Sequence, residues 1–565
     1  MDNNKNFLLF IIISVIIVAG SRWLFPMPTP PVPTVQTPQV QASLPTPSGA
    51  TTFRERGDIL KGTPRVPLQT PELAGSINLK GARLDDLVLT QFRETVDHDS
   101  PQIVLLSPPE SAAPYNAQYA EFSWLAGSKD TAVPTSDTLW QAEGKALSPS
   151  QPLKLIWKNG QGLTFEREIT VDEYYMFTLT DRVTNAGTAP VILYPFGLVA
   201  RQGNPVVSSS NVSYEGPLGV LGGSLEEYKY KKLIEEGKQT LESDGGWMGI
   251  TSKYWLVAMA PPVDEKLSAD FVFDSSGATD PNQGHFQTDF RGNAVTLVPG
   301  SNTQHVTHFF AGAKKISLLD RYEKLYGILH FDKAIDFGWF YFLTKPFLYM
   351  LSLLGSTLGS LGIAILVFTV MLKLLTLPLS LKSNHSMAKM KLLQPEVKRI
   401  QERFSEDKIR QNQEMMELFK REKVSPMSGC VPTLIQIPIF FALYKVLYVG
   451  IEMRQTPFYG WIRDMSAPDP TSVLTAFGAL PITLPHAFHI GVWPILMGVS
   501  MFLQQKLSPQ TMDKAQARMF MFMPVIFTYM LANMPAGLVI YWTWSNLLSI
   551  LQQWYIMRRD VKGKA

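Results

Sequence analysis

The sequence predicts a polytopic α-helical membrane protein with six transmembrane helices and a large periplasmic β-sandwich domain. Three observations predict it. Apolar residues collect in long runs at the N-terminus and beyond about residue 335, although mean hydropathy over the 565 residues is only +0.03. The stretch between those runs alternates apolar and polar residues among Gly, Pro and Asn, the pattern of short strands. Basic residues gather in three segments that alternation of the spans puts on one side of the bilayer. A net charge of +3 gives no footprint for nucleic-acid binding. The single cysteine, Cys430, excludes an intrachain disulfide, so the large domain must rest on its core.

The elements follow in order. Residues 1–25 hold Phe7–Phe25, "FLLFIIISVIIVAGSRWLF", long enough to span. A cleaved signal peptide is the rival, but no A-x-A site precedes the polar stretch, which favours an uncleaved anchor. Residues 26–51 are rich in Pro and Thr and predict an extended, semi-rigid tether. Residues 52–330 form the sandwich. Leu153–Val171 is a hairpin signal with Asn159-Gly160 at its turn. Tyr175–Phe196 repeats that form around Asn185-Ala186-Gly187. Leu225–Thr240 is a charged helix or an excursion from the sheet. Residues 331–357, aromatic and interrupted at Lys345-Pro346, fit an amphipathic helix on the membrane surface better than a span. Residues 358–380 cross, with Pro378 marking the end. Residues 381–429 are a cytoplasmic helical hairpin. Residues 430–558 hold four further spans, at Cys430–Val449, Val492–Leu507, Met519–Asn533 and Ala536–Met557. The last two are separated only by Met534-Pro535 and form a tight helical hairpin. Residues 559–565 are a basic tail. Both termini then lie inside and the β-domain outside, which in a bacterium is the periplasm.

Lys373 carries the sharpest question, because a lysine at the centre of a transmembrane helix costs about 2.5–3.5 kcal/mol. It can snorkel to the nearby interface. It can also face a wet cavity inside the bundle. Thr369 lies one turn earlier on the same face, and Gln436 is a polar group inside another span. In the hairpin, Met390, Leu393, Val397, Ile400 and Phe404 are spaced 3,4,3,4, a stripe of heptad form that Pro395 interrupts. "SEDK" offers a turn, and Ile409, Met416 and Phe419 continue the stripe. The charges there are a solvated face and orientation signal, or a dock for a partner or anionic lipid. Methionines such as Met497, Met501 and Met530 crowd the last three spans, as core or as a tolerant apolar surface. There is no Walker A, H-E-x-x-H or G-x-S-x-G. His305 and His308, at i,i+3 in a strand, fall on opposite faces, so no metal site is expected.

At "SMAKMKLLQPEVKRIQERF", "QEMMELFKREKVSPMSGCVPTLIQIPIFFALYKVL" and "FMPVIFTYMLANMPAGLVIYWTWSNLLSILQQW" the chain resembles the bacterial YidC membrane protein insertases, across about Phe337–Arg558. The resemblance implies a conserved five-helix core with a hydrophilic groove open to cytosol and lipid. It implies a β-supersandwich periplasmic domain and a cytoplasmic hairpin that receives substrate. It puts the groove cation, usually arginine, on Lys373, and the groove threonine and glutamine on Thr369 and Gln436. Substrate-contacting apolar positions fall on Ile437 and Phe440. The tyrosine pair of the last span falls on Tyr541 and Trp542, the second without a hydroxyl. The implied partners are nascent inner-membrane proteins, the Sec translocon with its accessory subunits, the ribosome and membrane lipids. No enzymatic activity and no cofactor are implied. A small-solute transporter with a cationic site is the alternative, although no internal repeat is seen. A tethered periplasmic sugar enzyme is a third reading.

Overall fold

The structure, a computed structural model, describes residues 53–203, 213–275, 284–424, 431–478, 489–507 and 514–562. The predicted N-terminal anchor and tether, Cys430 and the last residues of the basic tail lie outside them.

Among the described residues the sandwich consists of a ten-stranded and a nine-stranded antiparallel sheet. The predicted hairpin is there. Strand Leu153–Lys158 pairs with Leu163–Val171, with Lys158 opposite Thr164. Gly160 takes φ 73, which a side chain would oppose, and Asn159 Oδ1 accepts from the Gln161 and Leu163 N–H groups to close the turn. The second predicted pair is not a hairpin. Strand Met176–Asn185 belongs to the nine-stranded sheet, beside Leu163–Val171 and Asn302–Ala313. Strand Val191–Gln202 lies in the other sheet, between Gln118–Ala126 and His285–Arg291. Its run from Pro195 to Ala200 is buried without alternation, as suits a strand covered on both faces. Asn185 fixes the crossing, its amide donating to the Ala189 and Leu297 carbonyls. Leu225–Thr240 contains the end of strand Ser224–Glu227, a seven-residue helix and the start of strand Lys238–Asp244.

A sandwich needs its inner faces to interlock, and here aromatic side chains supply most of the bulk. Phe165, Phe177, Phe309 and Phe310 are fully buried. Through them runs one charge. Arg167 donates from Nε and Nη2 to the two carboxylate oxygens of Asp181, at 2.6 and 2.9 Å, and from Nη2 to the Phe122 carbonyl of the opposite sheet at 2.7 Å. Paired in this way, the buried guanidinium ties one sheet to the other.

The helices are α1 (Arg56–Lys61), α2 (Tyr230–Glu236), α3 (Ile316–Tyr326), α4 (Tyr341–Leu358), α5 (Leu361–Leu375), α6 (Leu377–Arg403), α7 (Lys408–Arg421), α8 (Val431–Val449), α9 (Val492–Leu507), α10 (Lys514–Leu531) and α11 (Ala536–Lys562). Lys345-Pro346 does not interrupt α4. Pro346 falls in its second turn, and Lys345 swings out to Asp320 and Asp332 at 3.1 and 2.5 Å. Between α5 and α6 the chain breaks at Thr376 and bends by 65°, and Pro378, predicted to mark the end of the span, stands instead in the first turn of the second helix. Among the described residues no single helix is long and apolar enough to cross a membrane, and the bent pair α5–α6 meets the test only jointly. Helix length therefore does not establish the predicted count of six.

The sandwich is fastened to the helices at one end. Asp336 accepts from Lys445 Nζ of α8 at 2.8 Å, and from the Tyr214 and Gly338 N–H groups at 2.9 and 3.0 Å. Arg454, just beyond α8, donates to the Arg93 carbonyl at 2.6 Å and lies over the Trp255 ring. Lys253 of the sandwich sits 3.6 Å from the centre of the Tyr448 ring, also in α8.

At the other end α6 and α7 form the expected hairpin, with Asp407 capping α7. Met390, Val397, Leu418, Phe419 and Val424 are its buried core, with Leu393, Ile400 and Met415 packed against them. Two parts of the predicted stripe are corrected. Pro395 lies inside α6 without ending it, and Phe404 stands outside the core, flanked by the Arg403 and Arg410 guanidiniums. Met416 is 49% exposed and Ile409 63%, because α7 presents the face of Gln411, Met415 and Leu418 instead. Spacing placed Phe419 correctly in the core and Ile409 and Met416 wrongly on it.

Two predictions follow from this packing. Leu418→Ala empties a buried position, a change that typically costs about 2–5 kcal/mol. It should expose the Lys382–Lys423 region to limited proteolysis, while Met416→Ala leaves cleavage at the wild-type rate. In the ten-stranded sheet, burial raises the Asp289 carboxyl to about 7, reinforced by Asp270 directly across from it. A carboxyl raised above its unfolded value of about 3.9 contributes stability below that pH and loses it as pH climbs through 7. The full chain in detergent should therefore melt at lower temperature at pH 8 than at pH 5, and Asp289→Asn should flatten that slope. An unchanged slope in the variant would place the proton elsewhere.

Candidate functional site

Three helices, α5, α8 and α11, bring the predicted site residues together, and α11 organises them. It carries Tyr541, Ser545 and Ser549 at i, i+4 and i+8, a polar line on one face of the helix. Tyr541 and Ser549 are about 12 Å apart along the axis. At the upper end of the line Tyr541 is 2% exposed, and its hydroxyl accepts from Gln436 Nε2 of α8. At the lower end Ser549 Oγ accepts from Lys373 Nζ of α5 at 2.9 Å. The same serine donates to the Ser545 carbonyl at 2.9 Å.

Lys373 thus points toward the bundle and is only partly exposed. It stands in the last turn of α5, where the carbonyl end of the helix favours a cation. The Thr376 hydroxyl closes that turn by donating to the Leu372 carbonyl at 2.9 Å. Thr369 is 1% exposed and on the same face, but its hydroxyl donates to Ile365 of its own helix at 2.6 Å. It lines the wall without a bond to the ammonium.

The apolar candidates divide. Phe440 meets Trp542 edge to face at 4.6 Å and stacks parallel to Tyr444 at 6.4 Å. Trp542 also touches Phe527 of α10. The indole that stands in place of a second tyrosine thus fills an aromatic cluster behind Tyr541. Ile437, one residue from Gln436, is 45% exposed and turns to the outside of α8.

Sequence reasoning missed Ser549, Ser545 and a second polar contact deeper in the bundle. Asn546 Nδ2 donates to Ser500 Oγ of α9 at 2.9 Å, and both residues are buried. The signal was available in "YWTWSNLLS", whose polar residues recur at helical spacing inside the last apolar run. Away from this site, His305 bonds Glu265 and His308 bonds Thr178, on separate partners as their spacing predicted. No cluster of three or more metal-ligating side chains is present among the described residues.

The site places a cation, an amide and a line of hydroxyls among apolar helices. It can attract and hold a polar or acidic segment. The family profile described as "60Kd inner membrane protein" matches residues 353–563, and that described as "YidC periplasmic domain" matches residues 65–350. The relative named "Membrane protein insertase YidC" in Methylorubrum extorquens (strain PA1) is 49% identical over 517 residues, covering 89% of this chain and 83% of its own. The relative of the same name in Mesorhizobium japonicum is 43% identical over 590 residues, covering 99% of this chain and 96% of its own. A solved structure described as an active YidC insertase with its first transmembrane domain resolved aligns over 87% of this chain and 95% of its own, at 16% identity and a TM-score of 0.36. On the strength of the profiles and the sequence relatives, the chain belongs to the YidC family of membrane protein insertases.

Proposed function

We propose that the protein inserts nascent inner-membrane proteins into the bacterial inner membrane through a groove formed by α5, α8 and α11. The observation that carries this reading is the Lys373–Ser549 contact: a cation inside an apolar helix, held toward the bundle by a hydroxyl on a polar line. A polar tail carrying Asp or Glu enters from the cytosolic side. Lys373 attracts its carboxylates beside a low-dielectric wall, where Coulomb attraction exceeds its value in water. Tyr541, Gln436 and the serines supply hydrogen bonds that lower the cost of taking the tail partway across. The apolar segment that follows slides along the outer face of α8 near Ile437, and burial in lipid completes the step. No covalent bond changes, and no nucleotide is consumed in the groove.

In this reading residues 1–25 anchor the chain, and both termini and the α6–α7 hairpin are cytoplasmic. The sandwich is periplasmic, and the anchor with α5, α8, α9, α10 and α11 makes six spans. Helix α4 lies in the interface, which suits its exposed Phe342 and Leu353 and the preceding Trp339, 92% exposed. The hairpin receives substrate from the ribosome, and the protein works alone or beside the Sec translocon and its accessory subunits. The transporter alternative gains nothing from the relatives, whose printed names are those of insertases.

The test is reconstitution in liposomes with a single-span substrate bearing an acidic tail. Wild type should insert it above the level of empty liposomes. Lys373→Ala should reduce insertion roughly fivefold, the value of about 1 kcal/mol of lost attraction, and Lys373→Arg should retain it. Replacing the acids of the tail by Asn and Gln should erase the difference between Ala and wild type. Equal activity of Lys373→Ala on the acidic substrate would leave the lysine a snorkelling residue. No insertion by wild type would remove the insertase reading itself.

A further inference from the structure

Helix α8 runs unbroken through Pro438, and its two sides meet different neighbours. Gln436, Phe440, Leu443 and Leu447 follow at i, i+4, i+7 and i+11 and share one face. The first two reach Tyr541 and Trp542 of α11, and the two leucines are fully buried. Phe441, Lys445 and Tyr448 follow at i, i+4 and i+7 on a second face, roughly 140° round the helix. That second face receives residues 336–340, through which the sandwich joins α4, and Lys253 of the sandwich itself.

Phe441 stacks on Phe340, with ring centres 6.3 Å apart and planes 17° from parallel. Lys445 Nζ donates to Asp336 Oδ2 at 2.8 Å. The lysine stem crosses Gly338, which holds φ 68, and a Cβ there would stand 2.9 Å from Lys445 Cε. Asp336 is aimed in turn by two backbone groups, the Tyr214 N–H on Oδ2 and the Gly338 N–H on Oδ1. The Lys445 and Asp336 side chains are 19% and 25% exposed, so water screens their attraction only in part. Apolar packing among apolar helices specifies rotation weakly. Gln436 has a stricter need, because its amide must meet one hydroxyl. A turn of α8 by about 20° carries a side-chain tip about 2 Å sideways, enough to break that bond.

We propose that Lys445 is a positioning residue of the groove: its bond to Asp336 sets the rotation of α8 and so holds Gln436 on Tyr541. Lys445 acts through Gln436 and makes no contact with substrate. The inference rests on the groove reading above. It adds that residues 336–340, at the foot of the sandwich, keep one wall of the groove in place. Without the clasp the groove is assembled for a smaller fraction of the time, which weakens capture of a tail in proportion.

Two measurements on the full chain test this. In a Cys430→Ser background, spin labels on Leu434→Cys of α8 and Leu551→Cys of α11, both exposed positions, report the distance between the helices without any substrate. Lys445→Met keeps the stem and drops the ammonium, and it should shift or widen the distance distribution. Asp336→Asn should do the same from the other side, and Lys445→Arg should keep the wild-type distribution. In liposomes, Lys445→Met should raise the half-saturating concentration of the acidic-tailed substrate about fivefold and leave the maximal rate unchanged. Added to Gln436→Leu, it should cost nothing further, since both remove one contact. An unchanged distribution in both Lys445→Met and Asp336→Asn overturns the positioning role, whether or not the chain inserts anything. Effects of Lys445→Met and Gln436→Leu that multiply overturn the route through Gln436. A shifted distribution with unchanged half-saturation overturns the link to insertion. Absence of insertion by wild type would strike the insertase reading, while the label distances would still decide the clasp.

Discussion

A charged ammonium within an apolar helix must find polar company, and much of the helical architecture answers that requirement. Lys373 cannot be hydrated by its own helix, whose neighbouring residues are Leu372 and Leu374. The polar partner comes from α11, and α11 can supply it because its serines recur on one face. That face in turn sets which side of α11 looks toward α5. The opposite relation holds at Asn546, which reaches away to Ser500 of α9. α11 is thereby fixed in rotation from two sides by hydrogen bonds, where apolar packing alone would leave its orientation weakly specified.

The sandwich obeys a different logic and is coupled to the helices by charge. Its interior is aromatic, crossed by one arginine bonded to both Asp181 oxygens and to the opposite sheet, and its contact with the helices includes cations on carbonyls, carboxylates and rings. Two of those contacts converge on α8 through Lys445 and Tyr448. α8 also carries Phe440, about two turns from Tyr448 along an aromatic row that includes Tyr444, and Gln436 about one turn further. The large domain and the candidate groove therefore share a helix, and its position answers to both.

How much of this was legible in the sequence depended on the range of the interaction. The turn at Asn159-Gly160, the break before Pro378 and the turn in Ser405–Lys408 are local, and residue identity alone dictates them. The α6–α7 hairpin was legible in Met390, Val397 and Phe419 but not throughout α7, since two faces of α7 offer apolar residues and only contact with α6 selects Leu418 over Met416. The strand pair around Asn185 was misjudged for the same reason. Turn chemistry shows that the chain reverses there, but which sheet the next strand joins is decided by the Leu297 carbonyl more than a hundred residues away. At the site, Lys373 was legible because a charge in an apolar run is conspicuous. Ser549 was not, because a serine in a helix is ordinary until something points at it.

The Ser549 hydroxyl faces two ways, accepting from Lys373 while donating to the Ser545 carbonyl. Such an arrangement is suited to exchange. If the ammonium turns to a stronger acceptor, the serine proton is already spoken for and only a lone pair is released, which a water can take up. The lysine for its part trades one oxygen for another and is never stranded. A carboxylate in the same resting position would have held the lysine far more firmly and left a bare negative charge behind on release. The weakness of a neutral partner is what makes this cation transferable.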